Sequence, residues 1–81
     1  MTRHEIAERV IKTTARELKV NPSVIKETDQ FSADLGADSL KSIELVAAFE
    51  EEFGLNVVEE EALAVQSVGS AIDYFHGIIN R

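Results

Sequence analysis

Apolar residues recur every three or four positions in three stretches of the chain, with polar residues between them. That spacing is typical of helices that bury one face. It predicts helices from Arg3 to about Lys19, from Leu40 to Phe53 and from Val68 to about Ile79, with a brief helix from Glu59 to Val65. The strands that a Rossmann or barrel enzyme needs are absent from the pattern. We therefore predict an all-α fold, a small bundle of three main helices plus one short helix.

Residues that favour helix ends stand at the boundaries of these stretches. Thr2 with Glu5 fits the capping box that starts a helix, in which two residues satisfy each other's backbone N–H groups. Asp38 is a good N-cap for the second helix, and Gly54 is expected to end it. Ser67 is placed to cap the last helix.

A segment without helical periodicity, residues 26–37, separates the first helix from the second. A loop of this length persists in a compact domain when it is anchored or functional. Phe31 and Leu35 are its large apolar residues. We expect their side chains to anchor the loop.

The second predicted helix carries two apolar faces, although a helix in so short a chain needs only one. At about 100° per residue, the first face is a core stripe of Ser42, Leu45, Val46, Phe49 and Phe53. The second face lies well round the helix, and we call it the docking patch: Leu40, Ile43 and Ala47. Three acids flank it, Glu44, Glu50 and Glu51. We interpret this face as a docking surface for basic partners.

Ser39 lies directly before the docking patch, in the first turn of the second helix and next to its predicted N-cap. The free backbone N–H groups and the dipole of a helix N-terminus favour an anion. A phosphate ester on the Ser39 hydroxyl would therefore be well placed. A serine in such a position is common, so this interpretation needs the wider motif described below.

Charge is unevenly distributed along the chain. The net charge is −7, but residues 1–26 contain six basic and three acidic residues, whereas residues 27–81 contain two basic and twelve acidic ones. An acidic main surface is unfavourable for nucleic acid and attracts basic protein faces over a long range. We expect protein partners and no nucleic-acid partner.

Composition limits the other classes of function. The 81 residues make one small domain, residues 1–81, and contain no cysteine, so thiol chemistry must come from an added group. No segment is long and apolar enough to span a membrane, and the N-terminus has no signal pattern, so we expect a cytoplasmic monomer. No nucleophile–base pair or set of metal ligands is visible, which argues against an enzyme and against a metal site.

The segment Leu35–Leu40, with the sequence Leu-Gly-Ala-Asp-Ser-Leu, resembles the motif of acyl carrier proteins. The resemblance covers nearly the whole chain and continues through four further segments: Ile43–Val46, Glu50–Phe53, Glu60–Ala62 and Ala71–Tyr74. It implies a 4′-phosphopantetheine arm on Ser39. Such an arm carries acyl groups as thioesters for fatty-acid, polyketide or related lipid biosynthesis.

The resemblance also implies roles for the residues around Ser39. Asp38 helps to hold the metal and coenzyme A in the complex with the modifying phosphopantetheinyl transferase. The docking patch and its acids receive that transferase and the acyl-loading and acyl-transfer enzymes through basic faces. The protein is then a non-catalytic carrier that serves as a substrate of other enzymes.

Several positions depart from the usual residues of acyl carrier proteins. Phe49 replaces a smaller aliphatic residue, and its ring is expected to shorten or redirect the acyl pocket between the helices. Lys41 stands where many relatives have an acid, and Leu63 and Ala64 replace polar residues beside the pocket. These differences favour a specialised carrier over a housekeeping one. Two alternatives stay open, a peptidyl or aminoacyl carrier with the same arm and an unmodified acidic helical adaptor.

Overall fold

The computed structural model describes every residue, Met1–Arg81, and contains four α-helices and no strand. They are α1 (Arg3–Leu18), α2 (Ser39–Phe53), α3 (Glu59–Ala64) and α4 (Val68–Ile79), with one turn of 3₁₀ helix at Pro22–Val24. The predicted bundle of three main helices and one short helix is confirmed. None of the helices combines the length and the apolar composition needed to cross a membrane.

The helix ends lie within one residue of the predicted positions, because the local capping residues act as expected. At the start of α1, Glu5 N donates to Thr2 Oγ1 at 3.1 Å and Thr2 N donates to Glu5 Oε1 at 2.8 Å. The hydrogen bond from Thr2 N, together with the Thr2 side chain, lowers the pKa of the Glu5 carboxyl. Gly54 ends α2 with a φ of 63°, the left-handed conformation that glycine adopts without strain. Lys19 ends α1 in the same conformation.

The hydrophobic core lies mainly between three helices, because α1 packs against both α2 and α4. Its largest fully buried side chains are on α1 and α4: Ile6, Val10, Thr13, Thr14, Val68 and Ile72. Contact with two neighbours buries more of α1 than a single stripe. Two threonines are therefore enclosed with the apolar residues.

The predicted core stripe of α2 is only partly buried. Leu45 and Phe49 are buried, whereas the other three members are half-buried, Ser42, Val46 and Phe53. Ala48, which the stripe omits, is buried as well. The half-buried side of α2 faces α3, a helix with no buried residue of its own.

Three backbone hydrogen bonds join the long loop to Gln66, just before α4, and to the first turn of α4. Phe31 N donates to Gln66 O at 2.9 Å, Val68 N to Asp29 O at 2.9 Å, and Gly69 N to the carbonyl oxygen of Glu27 at 2.8 Å. The side chain of Phe31 is buried, as predicted. Leu35 is half-buried and packs against the core, as the anchoring prediction requires. The loop is therefore held in place at both its backbone and its side chains.

A second attachment of the loop is ionic. The Arg3 guanidinium at the start of α1 contacts Glu27 Oε1 at 2.8 Å and Asp73 Oδ1 of α4 at 2.9 Å. Hydrogen bonds from Arg3 lower the pKa of the Glu27 carboxyl, and the two carboxylates raise the pKa of Arg3. Three distant parts of the chain meet at this one side chain.

Candidate functional site

Ser39 is the first residue of α2 and is exposed. The chain reaches it through Gly36, whose φ is 74°, and Ala37, a buried residue whose N–H donates to Phe31 O at 2.8 Å. Asp38 Oδ1 then accepts a hydrogen bond from Lys41 N at 2.8 Å, which makes Asp38 the predicted N-cap. The serine hydroxyl is thus held at the start of a 15-residue helix. The helix dipole at this end is positive, so the position favours an attached anion.

The docking patch follows Ser39 on α2 and is open to solvent. Leu40 is 65% exposed and Ile43 is 49% exposed, and Ala47 is exposed as well. Isolated exposed apolar residues are ordinary on protein surfaces, but these three adjoin one another at helical spacing. The structure therefore brings together the serine and the apolar surface that the sequence placed beside it.

The three acids around the docking patch differ in their surroundings. Glu51 is exposed and forms no ion pair. Glu44 Oε2 lies 3.1 Å from Lys41 Nζ, so part of its charge is compensated within the chain. Glu50 is half-buried, and its Oε2 accepts a hydrogen bond from Val57 N at 3.0 Å. Sequence reasoning treated Glu44 and Glu50 as free charges. The spacing of three residues between Lys41 and Glu44 could have predicted the first contact, whereas the contact of Glu50 depends on the path of the following loop and leaves no local signal.

A cavity of about 340 Å³ opens between α2, α3, α4 and the long loop. Eleven of its 15 lining residues are apolar. Those on α2 include Ser42, which lies one turn after Ser39, and Phe49, deeper along the helix. Sequence reasoning placed Phe49, Leu63 and Ala64 at or beside an acyl pocket. Phe49 and Leu63 line this cavity, whereas Ala64 is exposed and does not line it. It missed the loop residues Gln30, Ser32 and Ala33, which reach the cavity only because the loop folds over it.

Aromatic rings form the buried side of the cavity. The Phe49 ring lies between those of Phe31 and Phe75, with ring centroids separated by 6.4 Å and 5.3 Å. Phe75 also contacts Phe53 at 5.0 Å and Tyr74 at 5.4 Å. Three of these four pairs are tilted or edge-on, and such pairs are favourable beyond the area they bury. This cluster gives the cavity a closely packed wall.

Tyr74 brings a hydroxyl group to the wall of the cavity. It lines the cavity, and its hydroxyl donates to Glu61 Oε1 at 3.1 Å. Burial raises the pKa of the Tyr74 hydroxyl, and the hydrogen bond and the charge of Glu61 raise it further. The bond ties α3 to α4 across the cavity.

An exposed serine at a helix start, an adjoining apolar patch and an apolar cavity one turn away occur together in this small helical protein. Residues 8–75 match the family described as PP-binding, phosphopantetheine attachment site. The chain is also 47% identical over 70 residues to an acyl carrier protein of Afipia carboxidovorans, an alignment that covers 86% of this chain and 89% of that protein. The chain therefore belongs to the phosphopantetheine-bearing family of acyl carrier proteins. Proteins of this family carry acyl groups on a covalently attached 4′-phosphopantetheine.

Proposed function

We propose that Ser39 is the residue that bears the 4′-phosphopantetheine, and that acyl groups ride on the thiol of this arm as thioesters. The observation that carries the proposal is the exposed Ser39 hydroxyl at the N-terminus of α2, one helical turn from an apolar cavity. The residues fit the group, because a phosphodiester at this point would meet the positive end of the helix. The chain has no cysteine, so a thiol must come from the attached arm.

Attachment forms a bond between Ser39 Oγ and a phosphorus of coenzyme A, breaks the pyrophosphate bond to the leaving nucleotide, and passes the serine proton to a base of the transferase. Asp38 is proposed to help hold the metal and coenzyme A in that complex. One of its oxygens, Oδ1, accepts the N-cap hydrogen bond from Lys41 N, which leaves the other oxygen for such a contact. The N-cap bond also fixes the side chain next to Ser39.

The cavity is proposed to shelter the acyl chain between deliveries. Its interior is apolar, and the lining residues include buried side chains such as Leu45, Phe49 and Phe75. Burial of each methylene group of an acyl chain is favourable by about 0.8 kcal/mol. A chain inside the cavity would also keep its thioester away from water and stray nucleophiles.

The docking patch is proposed to receive the phosphopantetheinyl transferase and the enzymes that load and remove acyl groups. Its three apolar residues supply contact area, and Glu44, Glu50 and Glu51 supply charge toward basic faces of those partners. Because Glu51 has no partner within the chain, we rank it above the other two as an attractor of basic residues. Small interfaces steered by charge suit partners that bind briefly and in turn.

The chain itself is proposed to be a non-catalytic carrier of the cytoplasm. Its partner enzymes are proposed to act in fatty-acid, polyketide or related lipid biosynthesis. Phe49, Lys41 and Leu63 support a specialised carrier rather than a housekeeping one. The aromatic wall that Phe49 forms with Phe31 and Phe75 is the structural basis for this preference.

Intact-mass measurement tests the attachment. The protein is incubated with coenzyme A, Mg²⁺ and a transferase of broad specificity, and its mass should increase by that of one phosphopantetheine. Ser39→Ala should gain nothing, whereas the control Ser42→Ala, one turn further along α2, should be modified like the original chain. An unmodified original chain would favour the adaptor alternative, and a modified Ser39→Ala variant would place the arm on another residue.

A further inference from the structure

The cavity follows α2 over a defined length. Four residues of this helix line it at the spacing of one face: Ser42, Leu45, Val46 and Phe49. Ser42 is half-buried at the end nearer Ser39, and Phe49 is 5% exposed at the other end. At 1.5 Å of rise per residue, seven residues correspond to roughly 10 Å along the helix axis.

The Phe49 ring is held firmly at the far end of this length. It contacts Phe31 on one side at an interplanar angle of 58° and Phe75 on the other at 59°. Both neighbours are buried as well. Turning the ring aside would break two aromatic contacts in a closely packed core. These contacts favour a ring that stays in place as the wall at this end of the cavity.

The lining also restricts the chemistry of the occupant. None of the 15 lining residues carries a charge. Apart from Tyr74, whose hydroxyl donates to Glu61, the polar members are Gln30, Ser32, Ser42 and Gln66, and these are exposed or half-buried, so they belong to the rim. A charged group on the far end of an acyl chain would lose its hydration against this wall without gaining a partner.

We propose that Phe49 ends the acyl cavity and limits this carrier to sheltering neutral, unbranched acyl chains of medium length. An extended chain with C–C bonds of about 1.5 Å advances roughly 1.3 Å per carbon, so a depth of roughly 10 Å holds about eight carbons. The cavity volume of about 340 Å³ is at the small end of the range for ligand sites. This inference rests on the proposed function, because the acyl group must first be tethered at Ser39.

The test is a series of saturated acyl groups, from four to fourteen carbons, loaded onto the full chain as acyl-phosphopantetheine and checked by intact mass. Urea unfolding then gives the unfolding equilibrium constant for each member. Each methylene that enters the cavity should lower this constant about fourfold. The decrease should stop near eight carbons. A chain of the same length that ends in a carboxylate should lower it far less.

Two variants separate the role of Phe49 from a general loss of packing. In Phe49→Leu the plateau, the chain length beyond which the unfolding constant stops decreasing, should move to longer chains. Phe53→Leu is the matched control, because Phe53 also contacts Phe75 but does not line the cavity, and its plateau should stay where it is. The inference is overturned if stabilisation of the original chain continues well past eight carbons, or if Phe49→Leu keeps the original plateau.

A second measurement does not depend on how well the variants fold. In the original chain loaded with a ¹³C-methyl-terminated eight-carbon group, nuclear Overhauser contacts should join that methyl to ring protons of Phe49. Contacts only with rim residues such as Gln66 would overturn the inference. Failure to load any acyl-phosphopantetheine would instead contradict the proposed function, so the two failures are distinguishable.

Discussion

Thr14 shows that tertiary packing can bury a polar side chain away from water and from any hydrogen-bond partner. The side chain is fully buried, and its Oγ1 has no hydrogen-bond partner in the protein. It is enclosed because α1 packs against both α2 and α4. A buried hydroxyl without a partner costs stability, since it has given up its bonds to water.

Thr14→Val should therefore stabilise the protein by about 1 kcal/mol, because it replaces the hydroxyl by a methyl of similar shape. The change in the free energy of unfolding can be measured by urea denaturation. Thr14→Ser, which keeps the hydroxyl and removes the methyl, should be destabilising by about 1 kcal/mol. A destabilised Thr14→Val would mean that the hydroxyl has a partner, such as a bound water, in solution.

Glu50 and Glu51 are adjacent in the sequence and carry the same charge, but only Glu50 is used in the fold. Its hydrogen bond to Val57 N holds the segment that leads from α2 to α3. Glu50→Ala should lower the free energy of unfolding by about 1 kcal/mol, because the N–H loses its partner. Glu51→Ala, the matched removal of one charge, should change stability by less than about 0.5 kcal/mol. Equal effects of the two variants in urea denaturation would contradict this assignment.

At the scale of the elements, α4 is the helix against which the long loop is fitted. A Cβ on Gly69 would lie 3.0 Å from the Glu27 carbonyl oxygen, the same atom that accepts the Gly69 N–H. The loop therefore approaches the start of α4 so closely that a side chain at position 69 would require the loop to shift. Gly77 lies near the other end of α4, and a Cβ on Gly77 would have no atom within 4 Å.

Alanine substitutions at these two glycines should have opposite effects. Gly77→Ala should stabilise the protein by about 0.5–1 kcal/mol, the usual gain in a helix. Gly69→Ala should be destabilising by about 1 kcal/mol, because overpacking displaces the loop. Thermal unfolding measures both changes. In Gly69→Ala, faster hydrogen exchange at position 69 and its neighbours would show that the contact between the loop and α4 is weakened. A stabilising Gly69→Ala would show that the loop moves away at no cost.

At the scale of the whole molecule, charge both opposes and supports the fold. The net charge of −7 is concentrated in residues 27–81, where like charges repel. The Arg3 guanidinium offsets part of this by joining Glu27 of the loop to Asp73 of α4. These groups are partly exposed, so their individual ion pairs are screened by solvent. Their common effect is to hold the start of the chain to two segments that follow much later.

Acid should weaken this tie. Because Arg3 lowers the pKa of Glu27 in the folded state, the stabilisation is present above the ordinary glutamate pKa of about 4.3 and is lost as pH falls through the lower native value. Glu27→Gln should therefore be less stable at neutral pH and lose less stability on acidification. Urea denaturation from pH 7 down to pH 3 measures both.

Arg3→Gln is the control for this pH dependence, because it removes the cause of the lowered pKa while keeping the carboxyl. It should show the same reduced sensitivity to acid. Glu5, whose pKa is lowered by its capping hydrogen bonds, should leave a residual dependence in every variant. An acid sensitivity that is unchanged in both variants would contradict a role for the Arg3 contacts.

The sequence by itself determined the helices, their ends and the position of Ser39. Helical periodicity and capping are local: Thr2 with Glu5, Asp38 with the first turn of α2, and Gly54 at its end act on neighbours within about one turn of the chain. The common face of the docking patch was predictable for the same reason, because residues three and four apart share a helix face, whereas its exposure depends on how α2 packs.

Only the tertiary structure decided which distant groups meet. The loop on the rim of the cavity, the hydrogen bond from Tyr74 to Glu61 and the contacts of Arg3 each join parts of the chain that no local pattern relates. The position of the Phe49 ring depends likewise on Phe31 and Phe75, which pack on either side of it. Such contacts follow from the packing of whole helices, whose relative placement is set by many weak interactions at once rather than by any single residue.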